Sequence, residues 1–329
     1  MSRLFYTTLV VVPADVRDQV SLAYLFARAA DTIADTELID RPRRLDFLAQ
    51  LKAQFVGNQI AWGQIQDIQQ AIGPLQRTSA ERILLERLDD CFRIFDEFSE
   101  EDRQRVRRLM TTLTQGMEMD LRMFPGNSAQ DLVAFKTLDE LDRYTYYVAG
   151  CVGEFWTDLM CAHRPALRSW NIRHMSDVGV RFGKGLQLTN ILKDVAHDLQ
   201  NGRCYIPEQV LAAAGLTPRD LLDSASRSRF RPVLAGLVSL ATGHLDQGWM
   251  YTMAIPRYEM RLRLSCMWPI LSAGESLKLI LESPDLLNPT VKVKISRRRV
   301  YSMMALTTLT GACGYVGTAY WGRLRKQLA

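Results

Sequence analysis

The chain has 329 residues, 47% of them hydrophobic and 23% charged, which is enough apolar side chain for a sizeable core and too ordinary a charge content for general disorder. A net charge of +5 is too small for a nucleic-acid footprint and suits an anionic substrate or an anionic membrane surface. The six cysteines form no CxxC pair and the four histidines no HExxH, which argues against a disulfide frame and a zinc site and points to reduced thiols in the cytoplasm.

Glycine and proline are missing from 17–41 and from 76–115, and apolar residues recur at three-four spacing, as in Leu84, Leu88, Phe92, Phe95 and Phe98. Alternating β-branched runs are scarce. The pattern predicts helices at about 14–37, 40–56, 76–98, 100–122, 128–135, 138–165, 171–199, 207–213, 218–250, 255–280 and 296–326. "FPGNSAQD" and "NGRCYIPEQVLAAAGLTP" read as loops. No linker, low-complexity segment or fixed-period repeat divides the chain, so one all-α domain over 1–329 is the simplest architecture.

The first predicted helix carries "RAADTIADT" inside an apolar run. Residues four apart on an α-helix share a face, so Asp31 and Asp35 project together, with Arg28 on the same stripe. Leu22, Phe26, Ala29, Ala30 and Ile33 surround them, which aims the carboxylates at an internal pocket. A second stripe appears in "GLQLTNILKDVAHDLQNGR", where Asn190, Asp194 and Asp198 step by four and Gln187 precedes by three. Carboxylates among apolar neighbours need cations or donors. Two facing stripes can hold Mg²⁺, which takes a few carboxylates and completes its shell with water and phosphate oxygens. One DxxxD alone more often marks a solvated face, and Arg28 with Asp31 can be a plain i,i+3 ion pair. Two stripes in apolar sequence are more specific.

Five stretches resemble the squalene/phytoene synthases, which are head-to-head prenyltransferases: "SRLF" at 2–5, "LAYLFARAADTIADT" at 22–36, "YTYYVAGCVGEF" at 144–155, "GLQLTNILKDVAHDLQNGRCYIP" at 185–207 and "VKISRRRVYSMM" at 293–304. They stand in family order over most of the chain. The resemblance implies a single all-α isoprenoid-synthase fold around a central cavity. The form Asp31-Thr32-Ile33-Ala34-Asp35 looks more like the squalene synthases than the dehydrosqualene or phytoene synthases. That form implies joining two farnesyl diphosphates to presqualene diphosphate, then reduction by NADPH to squalene. The NADPH-independent dehydrosqualene or phytoene synthases are the alternative, and a non-catalytic assembly factor a remote one.

By resemblance, Asp31, Asp35, Asn190, Asp194 and Asp198 would hold Mg²⁺ and diphosphate. Arg28 and Arg203 would neutralise diphosphate oxygens, with Lys193 standing where the family more often has arginine. Gln187 would support the second stripe, and Arg3 and Phe5 match the first motif. Tyr147 matches a tyrosine thought to act as acid or base or to steady a cation, and Tyr144 would line the same wall; by themselves both read as core aromatics. Lys294 and Arg297 would meet the anionic cofactor. "QGMEMDL" at 115–121 resembles a cavity-lining helix, although its methionines are ordinary core residues.

Residues 300–322 carry no charge between "RRR" and "RLRK". With its threonines and glycines this run reads as one core helix closing the cavity, its cationic ends suited to loose contact with a membrane surface. The sequence gives no indication of oligomeric state.

Overall fold

The computed structural model describes residues 8–57, 59–310 and 314–328; Arg3, Phe5 and Cys313 lie outside them. Helix α1 (Ala14–Asp35) starts directly after Pro13 and runs through the stretch free of glycine and proline. Asp40 caps α2 (Arg41–Val56) by accepting from the Arg43 amide at 2.8 Å. The short helices α3 (Trp62–Ile72), α4 (Ser79–Glu86) and α5 (Leu88–Asp96) follow. Ser99 caps α6 (Glu100–Met123), whose first turn holds Glu100, Glu101 and Asp102 against the positive end of the helix dipole. Helix α7 (Leu138–Thr145) passes through a π-helical turn, Tyr146–Gly150, into α8 (Cys151–His163). The long helix α9 (Ile172–Gln200), the short α10 (Glu208–Ala212), then α11 (Arg227–Ala254), α12 (Met260–Glu282), α13 (Arg297–Leu309) and α14 (Gly314–Leu328) complete the chain. Among the described residues the one sheet is a parallel pair, β1 (Val133–Ala134) beside β2 (Arg203–Cys204).

Helix α9 is central and packs against α8, the π-turn, α11 and α12. Gly183 allows part of this: a Cβ there would lie 2.3 Å from the Ala149 carbonyl oxygen. Gly183 and Gly185 therefore serve close helix packing. Two apolar cores result. One gathers α1 to α6 with α8 around Phe26, whose ring lies 4.7–5.8 Å from those of Phe55, Phe92 and Phe95. The other surrounds the second half of α9 with α11 to α14.

The all-α expectation holds, with four local corrections. Residues 62–72 form a helix that the sequence reading missed. Its glutamines hide the pattern, yet Ile65, Ile68 and Ile72 are buried at helical spacing. The predicted helix 76–98 breaks at Arg87, where Gln69 reaches the Glu86 carbonyl at 2.8 Å and Asp89 at 2.9 Å. Residues 128–135 are not a helix but a 3₁₀ turn and β1, because Val133 and Ala134 pair with Arg203 and Cys204. The uncharged run 300–322 is split between α13 and α14 rather than forming one helix. Among the described residues no helix is long and apolar enough to cross a membrane. The five described cysteines are buried and unpaired.

Candidate active site

A cavity of about 280 Å³ opens at the seam between the two cores. Helix α1 contributes Ala27, Asp31, Ala34 and Asp35, and α9 contributes Gln187, Asn190, Ile191, Asp194 and Asp198. The two stripes therefore face one shared space. Leu113, Met117 and Asp120 of α6 close a third side, and Tyr144, Val148, Arg203 and Tyr205 complete the wall.

Arg203 is placed by local backbone structure. Gly202, in the left-handed region at φ +77°, turns the chain out of α9 where a Cβ would meet the Ser128 carbonyl at 2.7 Å. The parallel pairing then fixes Arg203 opposite Val133. Its Nη1 lies 3.4 Å from Asp120 Oδ2, and the Tyr205 hydroxyl donates to Asp120 Oδ1 at 2.6 Å. Tyr144 stacks on Tyr205, ring centroids 5.1 Å apart and planes 24° from parallel. Asp120 and Tyr205 were missed by sequence reasoning. Asp120 lies inside "QGMEMDL", already matched to a cavity helix, but without a second acid at helical spacing to mark it.

Arg28 bridges Asp31 and Glu81 of α4. Lys193 donates to Asn190 Oδ1 at 3.1 Å and lies 3.2 Å from Asp194. Both cations thus rest on neighbouring acids at the rim. Tyr147 is half-buried and absent from the cavity lining, its ring 5.7 Å from that of Tyr146 and its Cβ against Gly116 of α6. Tyr144, rather than Tyr147, is the tyrosine of this segment that lines the cavity. Lys294 and Arg297 are exposed and lie outside the lining; Arg297 opens α13, whose cap is Ser296.

The electrostatics are those of a crowded acidic cleft. Burial, and then the charge of Asp194, pushes Asp198 up to about 8 against the pull of Arg203. Desolvation and Asp31 push Asp35 up to about 6, although its side chain keeps solvent at the mouth. Burial also raises Asp31 and Asp120. Tyr144 and Tyr205 are driven far above the usual phenol range, so they remain neutral hydroxyls. Among the described residues no three His, Cys, Asp or Glu side chains converge to hold one ion. An all-oxygen donor set that offers each ion one or two carboxylates still suits Mg²⁺, which keeps waters and takes phosphate oxygens. A larger hollow of about 450 Å³ near Tyr258 carries little open chemistry, since its Arg164 is already paired with Asp15 at 2.7 Å and with Glu259.

The family Squalene/phytoene synthase matches residues 1–299. The squalene synthase of Saccharomyces cerevisiae is 24% identical over 329 residues, covering 100% of this chain and 69% of that one. The chloroplast phytoene synthase of an Oncidium hybrid cultivar is 27% identical over 202 residues, 60% of this chain and 44% of that protein. The chain thus spans less than half the length of the plant relatives it matches. Among solved structures, TcSQS in complex with a ligand superposes with a TM-score of 0.78 at 20% identity, covering 99% of this chain and 87% of that one. A dehydrosqualene synthase in complex with a ligand gives 0.61 at 21% identity, with 94% and 92% covered. Those likenesses establish the all-α isoprenoid-synthase fold, and with the match over 1–299 they show that the chain belongs to the squalene/phytoene synthase family, a family of prenyltransferases.

Proposed function

We propose that the chain is a squalene synthase that joins two farnesyl diphosphates head to head and reduces the product with NADPH. The observation that carries the prenyltransferase part is the pair of aspartate stripes on α1 and α9 facing one cavity, with Arg203 and Asp120 between them. Asp31 and Asp35 on one side and Asn190, Asp194 and Asp198 on the other would hold Mg²⁺, which supplies charge neutralisation for a departing diphosphate. Arg203, Arg28 and Lys193 add fixed positive charge for its oxygens, the two guanidiniums as planar forks. When the C1–O bond breaks, its electron pair leaves with the diphosphate and an allylic cation remains. Ala27, Leu113, Met117, Val148 and Ile191 keep water from that cation, while the faces of Tyr144 and Tyr205 offer π-density. The second farnesyl double bond then attacks C1, and loss of a proton closes the cyclopropane of presqualene diphosphate. Gln187 on the lining supports the α9 stripe, and Tyr144, which also lines the cavity, takes the tyrosine's part beside the reacting chain.

Reduction to squalene rests on the Asp31-to-Asp35 form and on the squalene-synthase-like "YYVAGCVGEF" at 146–155, with Lys294 and Arg297 meeting the anionic cofactor from outside the cavity lining. The matches to plant phytoene synthases favour, as a second reading, an NADPH-independent dehydrosqualene or phytoene synthase. Incubation with farnesyl diphosphate and Mg²⁺, with and without NADPH, followed by product mass separates the two. Squalene with NADPH is expected. Dehydrosqualene in its presence would sink the first reading, and no diphosphate release from any prenyl diphosphate would sink both.

A further inference from the structure

The cations assigned above to diphosphate differ in what holds them. Arg203 rests on Asp120, which belongs to neither stripe. Lys193 leans on Asn190 and Asp194, which both belong to the second stripe. Arg28 has one partner of each kind: its Nη1 donates to Asp31 Oδ2 and its Nη2 to Glu81 Oε1. Asp31 lines the cavity, whereas Glu81, in the first turn of α4, stands outside the lining. Glu81 is itself fixed. Its Oε2 accepts from the Thr78 hydroxyl at 2.6 Å, and its amide donates to the oxygen of that same hydroxyl, the cap of α4, at 3.3 Å. Its charge also sits at the positive end of the helix dipole.

The two carboxylates on Arg28 have different fates when a metal ion enters. Asp31 belongs to the stripe that would hold the ion, and an oxygen shared with Mg²⁺ is a poor acceptor for a guanidinium. Were Asp31 the sole partner of Arg28, the ion would have to break a charge-assisted hydrogen bond and leave the guanidinium without a counter-charge. Glu81 keeps that counter-charge in place, and the N–H that Asp31 gives up becomes available to a diphosphate oxygen. A brace between α1 and α4 explains the contact less well. The side chains of Arg28 and Glu81 keep 24% and 21% of their exposure, an ion pair so placed contributes little to folding, and Leu85 already anchors α4 in the core.

We propose that Glu81 is a positioning residue that holds Arg28 at the cavity rim and so releases Asp31 to a metal ion. Glu81 touches neither ion nor substrate; it acts through Arg28. This rests on the metal and diphosphate site described under Proposed function. Nothing in "RTSAERILLE" sets Glu81 apart from an ordinary helix surface, because its partner lies 53 positions away.

The test is the dissociation constant of Mg²⁺ alone, and then of inorganic diphosphate at saturating Mg²⁺, both by calorimetry on the full chain. Glu81→Gln should weaken Mg²⁺ binding on the order of tenfold, since Arg28 then keeps Asp31 for itself. Adding Arg28→Gln to that variant should restore Mg²⁺ affinity to within about threefold of wild type, because Asp31 no longer has a guanidinium to leave. A residue that merely supported α4 would gain nothing from the second substitution, so a double variant as weak as Glu81→Gln overturns the proposal. Arg28→Gln alone should bind Mg²⁺ at least as well as the wild type and inorganic diphosphate on the order of tenfold more weakly. Wild-type Mg²⁺ affinity in Glu81→Gln, with diphosphate binding still lost in Arg28→Gln, overturns the proposal and leaves the diphosphate site intact. A wild-type chain that binds neither Mg²⁺ nor diphosphate overturns the site as well. Should Glu81→Gln fail to fold, Glu81→Asp keeps the charge: Mg²⁺ affinity within about threefold of wild type is expected, and a tenfold loss overturns the charge-based role.

Discussion

Asp198→Asn tests whether the cleft is built to take up cations. The Asp198 carboxyl rises from 3.8 to about 8, through burial first and Asp194 second. In the folded chain it therefore keeps a proton that the unfolded chain has lost. Its contribution to stability is intact below about pH 4, falls as the pH rises, and levels off above about pH 8. At about 1.4 kcal/mol per pH unit the full rise corresponds to roughly 5–6 kcal/mol. Water and counter-ions at this half-buried group reduce that to about 1–3 kcal/mol. Asparagine keeps the shape and removes the titration. Without metal at about pH 8 the variant should melt about 2–6 °C higher than the wild type, at about 2 °C per kcal/mol for a chain of this size. The difference should shrink towards pH 5. Mg²⁺ should offset most or all of that difference: at a hundredfold excess over its dissociation constant it stabilises the wild type by about 2.7 kcal/mol, and the variant by less than half of that. Differential scanning calorimetry at both pH values, with and without MgCl₂, reads all four states. A variant that melts below the wild type in metal-free buffer at about pH 8, or that shows the same Mg²⁺ upshift, would refute the reasoning.

Four further outcomes are expected. Asp31→Asn and Asp194→Asn should each lower turnover about 10²-fold or more with circular dichroism unchanged; retained turnover with unaltered Mg²⁺ dependence would remove them from the metal site. Tyr144→Ala should lower product formation far more than it weakens binding of a farnesyl thio-diphosphate, and equal losses would mark it as a packing residue. Lys294→Ala should leave presqualene diphosphate formation intact and lower squalene yield at limiting NADPH; an unchanged yield would place the cofactor elsewhere. Gly183→Ala should cost about 1–3 kcal/mol in a denaturant melt, because its Cβ would press on the Ala149 carbonyl at 2.3 Å, and a melt like that of the wild type would refute the close-packing account.

The stripes were legible because a helix converts sequence spacing directly into a shared face. Asp31 with Asp35 and Asp194 with Asp198 needed only the 3.6-residue period to be placed together. Asp120 and Tyr205 had no such local code. Asp120 has no second acid three or four residues away on α6, and its partners Arg203 and Tyr205 come from β2 and the residue after it, 83 and 85 positions further along the chain. Their meeting depends on the β1–β2 pairing, two residues long in each strand and read from sequence as a helix and a loop. The break of 76–98 at Arg87 was equally hidden, since it depends on Gln69 of another helix.

Asp120 changes how the charges of the cleft are balanced. With the two stripes alone, Arg203 would have only Asp35 and Asp198 as counter-charges, and those belong to the stripes. Asp120 gives it a permanent partner at 3.4 Å, and Tyr205 satisfies the second oxygen of that carboxylate at 2.6 Å. Arg203 can then remain charged and oriented whether or not ligand is bound, while the stripe carboxylates stay underpaired. Burial disfavours the charge on both groups: it raises Asp198 towards neutrality, whereas Asp120, Tyr205 and Asp35 hold Arg203 in its charged form against the same desolvation. A cleft so divided is held together by its own arginine and destabilised by its own aspartates, and the aspartates gain partners only when cations and an anionic substrate enter together.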